Sequence, residues 1–258
     1  MKKILLILFL TILSQAKSYA QIEILTAIDL GDRISKTIVR QLADGSPKHI
    51  VYAEGALSNY FVLADHTHAS TMRIESRYEV NDFAILGDYL YFVGRDQDLD
   101  QGCVGWIKIN SFFIGSGEYF VSDPGFGQTG NCLIRSLDKL VLNQSSNRIS
   151  ITAIGSSFNT LNNNNFCINI NGLEGMTTGW GYELVYSHTG EEFHDIIQTD
   201  RYVVTGGKYY SGFRGICLRI FDKNNPFGSP IYQTAHIYHG NSEFQDGLDR
   251  IRLTSIPG

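Results

Sequence analysis

The chain has 258 residues, 43% of them hydrophobic and 12% aromatic, with 26 Gly and only 5 Pro. It is too apolar for a disordered chain and long enough to bury a sizeable core as one or two domains. Its 21 Lys plus Arg against 26 Asp plus Glu give a net charge of −5, and no Lys/Arg run offers a footprint for phosphate backbones or anionic lipid, so nucleic acid is set aside as a partner.

Residues 1–20 begin Met1-Lys2-Lys3, continue through an apolar run from Ile4 to Leu13, and close on Ser18-Tyr19-Ala20 before Gln21. A short positive region, an apolar stretch and a small-x-small site make a signal peptide. The run is far short of the roughly 20 residues that cross a bilayer. The expectation is therefore an exported chain, 21–258, without a membrane-spanning segment, that is secreted, periplasmic or associated with the cell surface. Removing Lys2, Lys3 and Lys17 from the 21 basic residues leaves 18 against 26 acidic ones, a net charge of −8. All four cysteines, Cys103, Cys132, Cys167 and Cys217, lie in that exported part. They admit three pairings or buried free thiols, and their spacing fits no CxxC metal cluster.

After the leader nearly every apolar segment is short, β-branched or aromatic and bounded by Gly, Asn, Asp or Ser. Near Ile34, Ile38 and Leu42 the four-residue spacing admits a helical turn. From there on the segments read as strands: His49–Ala53, Tyr89–Val93, Arg148–Ile154 and Tyr202–Thr205. Two stretches carry the same plan. Asp82 leads through Ile85, Gly87-Asp88 and Tyr91 to Gly94; Asp195 leads through Ile197, Asp200 and Val203 to Gly206-Gly207. Third strands follow at 105–110, 166–171 and 216–222, closing on Asn110, Asn171 and Asp222. The first unit centres on Ile50 to Gly55, with its third strand at Tyr60–Leu63 or nearer Met72-Arg73-Ile74. The stretch from Ile231 to Leu253 reads as the start of another unit.

Glycines 55, 94, 155 and 207 mark the units at uneven steps, as loops of different length grafted on one unit would produce. A three- or four-stranded repeat of about 40–60 residues is the sequence signature of a propeller blade. Stacked blades bury both faces, which accounts for strands denser in apolar residues than one-face alternation requires. The glycines suit positive φ or close backbone approach where the chain leaves the sheet, and the Asp and Asn residues suit turns. The expected fold is all-β: a β-propeller of about five blades or an open propeller fragment, with a β-sandwich as the alternative.

The segments Asn81–Gly94 and Gly105–Asn110, and their counterparts at 193–222, resemble blades of kelch-like β-propeller repeat proteins, in particular poorly characterised secreted propellers of the Bacteroidetes. The Gly-Gly pair of that pattern stands only at Gly206-Gly207. The resemblance implies a fold and an extracellular address; propellers host enzymes, lectins and scaffolds alike.

Chemistry-bearing motifs are sparse. Asp96, Asp98 and Asp100, followed by Gly102, alternate as calcium-loop carboxylates do, although Ile107 stands where an EF-hand needs its Glu. The three form a candidate calcium site, against the plainer reading of a solvated hairpin loop. The pairs His66/His68 and His236/His239 lack an evident third metal ligand, and neither a G-x-S-x-G elbow nor HExxH occurs. Asp82, Asp195, Glu118 and Glu183 are candidate acids, but two of them recur at equivalent unit positions, as structural residues do. Two aromatic patches, Tyr209, Tyr210, Phe213 and Arg214 in the Gly-rich 205–215 loop and Trp180 with Tyr182, suit stacking on a sugar or anchoring a peptide. Asn143-Gln144-Ser145 is a glycosylation sequon where the host has that machinery. These features predict a non-catalytic exported binding or scaffold protein presenting its loops to a glycan or an extracellular protein. The alternative is a propeller-type carbohydrate-active hydrolase or lyase.

Overall fold

The computed structural model describes residues 7–10, 23–27, 34–42, 48–64, 69–109, 119–122, 133–145, 148–158, 163–173, 181–189, 191–209, 215–223 and 230–237. Among them every regular element of any length is a strand. A two-stranded ribbon, β1 (Ile7–Leu10) with β2 (Glu23–Ala27), precedes four antiparallel sheets of four strands each.

Each sheet is built from four strands consecutive in the chain. The first contains β3 (Ile34–Gln41), β4 (His49–Gly55), β5 (Asn59–Ala64) and β6 (Ala69–Ile74). The second contains β7 (Tyr78–Leu86), β8 (Tyr89–Asp96), β9 (Gln101–Lys108) and β10 (Tyr119–Ser122). The third runs from β11 (Leu133–Ser145) through β12 (Arg148–Phe158) and β13 (Asn163–Leu173) to β14 (Gly181–Thr189). The fourth runs from β15 (Glu191–Gln198) through β16 (Tyr202–Tyr209) and β17 (Gly215–Asp222) to β18 (Tyr232–Ile237). The strands leading toward Asn110, Asn171 and Asp222 are thus β9, β13 and β17, the third strand of three separate sheets.

Two expectations change, and one choice between alternatives is decided for Tyr60–Leu63. The stretch holding Ile34, Ile38 and Leu42 is no helical turn: Ile34–Gln41 is a strand paired along its length with β4. Met72–Ile74 belongs to a fourth strand, the third being Asn59–Ala64. Tyr232–Ile237 opens no new unit; it closes the fourth sheet against β17, and 238–253 lie outside the described residues.

Packing follows chain order because side chains alternate across each strand. Ile50, Tyr52, Phe61 and Leu63 of the first sheet meet Phe83, Leu90, Phe92 and Ile107 of the second. Phe61 packs edge-on to Phe83 with ring centres 5.5 Å apart. The opposite face of the second sheet presents Tyr91, Val93, Val104 and Trp106 to Leu137, Leu140, Ile149 and Ile151 of the third. Ile154 and Val141 then meet Phe193, Ile196, Val203 and Phe221 of the fourth. A middle sheet is therefore apolar on both faces, which explains the dense apolar strands. A fully buried Phe or Leu stabilises by roughly 1.5–3 kcal/mol, so each interface of this kind is a core in its own right.

One irregularity recurs in every first strand. Pairing slips by one residue at Ser35, Asn81, Asp138 and His194, opposite the steps Gly55/Glu54, Gly94/Val93, Gly155/Ile154 and Gly207/Gly206. These are β-bulges, and each carries one extra residue on the first strand. The four glycines therefore pair with Ile34, Val80, Leu137 and Phe193 within the ladder. At Gly94, Gly155 and Gly207 the need is space: a Cβ would come closer than 3.0 Å to the carbonyl oxygen of Glu79, Ser136 or Glu192. Positive φ belongs instead to Gly87 (57°), in the two-residue turn between Leu86 and Tyr89.

Candidate functional site

Antiparallel order puts the β4–β5, β8–β9, β12–β13 and β16–β17 turns at the same end of their sheets as the links from one sheet to the next. The bulges lie near that end, and they repeat a pattern of apolar, polar and charged residues: Ile34-Ser35-Lys36, Val80-Asn81-Asp82, Leu137-Asp138-Lys139 and Phe193-His194-Asp195. Two arrangements arise there, a polar row along the first strands and a cleft between the first two sheets.

The row stitches neighbouring sheets together. Lys36 Nζ donates to the Val80 carbonyl at 2.8 Å and to Asn81 Oδ1 at 2.9 Å, with Glu79 3.8 Å away. The Asn81 amide passes the connection on, donating to Ser136 Oγ at 3.0 Å and to the Leu137 carbonyl at 3.1 Å. Ser136 Oγ in turn donates to Asp138 at 2.6 Å. Lys139 reaches Asp195 at 2.8 Å. Arg40 pairs with Asp82 at 2.6 Å and lies over the Phe83 ring, while the other Asp82 oxygen accepts the Leu140 N–H at 3.3 Å.

Two carboxyls here titrate above their ordinary range. For Asp82, only 8% exposed, burial outweighs the Arg40 cation and the N–H donors. For Asp138, burial again leads; the Ser136 hydroxyl and Lys36 oppose it, and the charges of Glu79 and Glu192 from the sheets on either side reinforce it. The first strands of the other three sheets thus bring Lys36, Glu79 and Glu192 within electrostatic reach of Asp138.

The cleft has a volume of about 780 Å³ and lies where the β4–β5 turn, the β6–β7 link and the β8–β9 turn converge. Its walls include Glu54, Asn59, Arg73, Glu75, Arg77 and Asp98, with no aromatic ring among the lining residues. Arg77 is committed: its guanidinium covers the Tyr78 ring, meets Glu75 at 2.9 Å and faces Asp96 at 3.8 Å. Exposed Arg73 has no carboxylate within ion-pair distance among the described residues. Buried Asn59 donates to the Ser76 and Tyr78 carbonyls at 3.3 and 2.7 Å, while its Oδ1 has no hydrogen-bond partner among the described residues. Beside the lining residues Ala56 and Asp98, at the tips of the two turns, stand Leu57 and Leu99, 72% and 51% exposed.

Of the three candidate calcium ligands, Asp96 ends β8 and Asp98 and Asp100 lie in the β8–β9 turn, each with different surroundings. Asp96 is buried, and its Oδ1 accepts the N–H groups of Asp98 and Leu99 at 3.0 and 3.2 Å, which fixes the turn. Asp100, at positive φ, is bound by Arg95 and by Arg135 Nε at 3.0 Å. Burial would raise its pKa, yet the hydrogen bonds from the two arginines hold it below the usual range. Asp98 is exposed on the cleft wall. No three His, Cys, Asp or Glu side chains stand together as a metal-binding group among the described residues.

Asp82 and Asp195 are not turn residues; both lie inside first strands just after the bulge, each paired to a cation of the preceding sheet. Cys103 and Cys217 are buried, and the Cys217 thiol donates to the Lys208 carbonyl at 3.3 Å. Cys132, Glu118, Trp180, Tyr210, Phe213, Arg214, His66, His68 and His239 lie outside the described residues, as do the side chains of Cys167, Tyr182, Glu183, Tyr209 and His236. Asn143 stands half-buried in β11. Among the described residues no helix is long and apolar enough to cross a membrane. The bulge row and Arg73 were missed in the sequence, although the apolar-polar-charged triplet is visible there once the ladder position of each glycine is known.

No family model matches the chain, and no curated protein matches its sequence.

Proposed function

We propose that the chain is an exported, non-catalytic binding protein of propeller type, whose four sheets are successive blades and whose turn end receives a glycan or an extracellular protein. The consecutive four-stranded meanders, each apolar on the face it turns to the next, support the propeller reading. The observation that carries the binding reading is the contrast at the turn end: the recurring acids Asp82 and Asp195 are held in ion pairs between sheets, whereas in the cleft exposed Arg73 and Asp98 make no ion pair among the described residues, and exposed Leu57 and Leu99 stand beside it. Groups that clamp one sheet to another have no freedom to exchange protons with a substrate. The test is to probe residues 21–258 on arrays of glycans and of immobilised peptides, alongside a panel of polysaccharides assayed for new reducing ends. Saturable retention without turnover supports the reading, and turnover abolished by a single substitution overturns it.

One observation favours a second reading, a carbohydrate-active hydrolase or lyase. A general acid is a carboxyl whose pKa is pushed up by its surroundings, and burial together with the charges of Glu79 and Glu192 raises that of Asp138. In that case Asp138→Asn would abolish turnover on the same panel.

A further inference from the structure

We infer that the bulge row is a pH-sensitive joint: the third sheet closes against the fourth when Asp138 carries a proton and loosens from it when Asp138 is ionised opposite Glu192. The inference stands apart from the binding reading above, since it concerns how the sheets hold one another at the turn end.

Position sets up the joint. Equivalent bulges place Asn81, Asp138 and His194 as the extra residues of their strands, with Glu79, Ser136 and Glu192 two residues before them. Hydrogen bonds lead toward Asp138 from the first two sheets. Lys36 donates to Asn81 Oδ1, the Asn81 amide donates to Ser136 Oγ, and that hydroxyl gives its single proton to Asp138 at 2.6 Å. Asp138 is thus the terminal acceptor of a chain that begins at a lysine two sheets away.

Charge divides unevenly between the two sides of Asp138. Toward the second sheet the repulsion of Glu79 is countered by Lys36, which lies 3.8 Å from Glu79 and also attracts Asp138. Asp82 on that side is engaged by Arg40, and the Asn81 amide holds the Leu137 carbonyl whatever the state of Asp138. Toward the fourth sheet Glu192 repels Asp138, while Lys139, the next residue of β11, is engaged by Asp195 at 2.8 Å. Lys208 stands across the ladder from Glu192. His194 Nε2 lies 3.3 Å from the Glu192 carboxylate, a contact that becomes an ion pair only when the imidazole is protonated. A proton on Asp138 therefore removes one of two facing negative charges, and a proton on His194 screens the other. The far end of β15 is pinned without charge, by the Gln198 amide on the Leu142 carbonyl at 3.1 Å. Protonation thus acts at the bulge end of this interface, where the Asp138 and Glu192 charges meet.

The experiment is hydrogen–deuterium exchange of residues 21–258 from acid to neutral pH, with rates corrected for the intrinsic pH dependence of amide exchange. The expected result is that amides of β15 and of the bulged part of β11 exchange about threefold or more slowly in acid than at neutral pH, while those of β4 and β8 change less. Asp138→Asn keeps an acceptor for the Ser136 hydroxyl without the charge, and should give acid-like protection of β15 at every pH. Glu192→Gln removes the facing charge from the other sheet and should flatten the same profile; it serves equally if Asp138→Asn does not fold. The double variant should add little to either single one, because both remove the same repulsion. Asp100→Asn, in the β8–β9 turn, should leave the β15 profile unchanged. Protection of β15 that is constant with pH or falls in acid overturns the inference, as does an unaltered profile in Asp138→Asn or Glu192→Gln.

Discussion

The bulge row and the cleft lie at the same end of the sheets and draw on the same residue types, yet they differ in saturation. Along the row, Lys36, Arg40 and Lys139 each find an acceptor or a carboxylate on the next sheet, and Asn81 bridges three strands of three different sheets. In the cleft, Arg73 and Asp98 make no ion pair among the described residues, and beside it two leucines face solvent. Polar groups satisfied within the molecule hold its parts in register, whereas groups left unsatisfied at a surface are available to something else. The row is architecture and the cleft is the place to look for a partner.

The largest expected effect breaks the row at its backbone. Gly94→Ala and Gly207→Ala would press a methyl into the carbonyls of Glu79 and Glu192, with backbone on every side to resist relaxation. Each should cost about 3 kcal/mol or more in urea denaturation, the upper range for overpacking. Gly87→Ala, at a turn with positive φ but outside the row, should cost only about 1 kcal/mol. Equal losses at all three positions would remove the distinction between close approach and turn geometry.

A smaller effect tests the ion pairs. Arg40→Met leaves the Asp82 carboxylate buried without its cation and should cost about 1–3 kcal/mol at neutral pH. The loss should shrink in acid, where Asp82 protonates, and Asp82→Asn in the same chain should restore much of it. A loss independent of pH would mean that Arg40 contributes through its stem over Phe83 instead.

Asp138 gives a third test, of sign more than size. Its folded-state pKa is raised, so the folded protein holds the proton more tightly than the unfolded chain. That contribution to stability is complete below the ordinary carboxyl range and is lost as pH rises through the raised value. Asp138→Asn should therefore gain stability relative to the parent toward neutral pH, and denaturation midpoints measured across the acid range should diverge in that direction. A decline toward neutral pH would show that the charged form is the one the row requires.

The smallest stability effect belongs to the cleft. Arg73→Glu should leave folding within about 0.5 kcal/mol of the parent, as for an exposed residue with no ion pair among the described residues, while changing what binds. A large loss of stability there would dissolve the contrast between the two regions.

The strands and their grouping were readable because alternate residues of β8, such as Leu90 and Phe92 against Tyr91 and Val93, serve different neighbouring sheets, and the recurring glycines mark equivalent ladder positions. The fourth strands were less so. β6 alternates exposed Thr71 and Arg73 with buried Met72 and Ile74, a weak pattern beside the continuous apolar run of β5. Ile34, Ile38 and Leu42 matched a helical period because the bulge at Ser35 adds a residue ahead of Lys36 and obscures the two-residue alternation. The Asp pair at 82 and 195 was recognisable as structural from its recurrence, but its partners Arg40 and Lys139 lie 42 and 56 residues away, on a sheet no local pattern could reveal. For Arg73 the obstacle was of another kind: the lack of a counter-ion is a property of three-dimensional surroundings, invisible in a list of neighbours along the chain.

The extra residue in each first strand has a consequence for how such a chain can change. In β7, Tyr78 and Val80 face the first sheet, and so do Phe83 and Ile85, an even pair followed by an odd pair. Asn81 permits that switch of parity; deleting it would rotate one half of the strand by half a turn relative to the other and send two core side chains to the wrong neighbour. Length variation is thus tolerated in the hairpins but forbidden at the four bulges that the sheets share, to which β11 adds a further slip at Arg135, and these act as fixed punctuation in an otherwise elastic text.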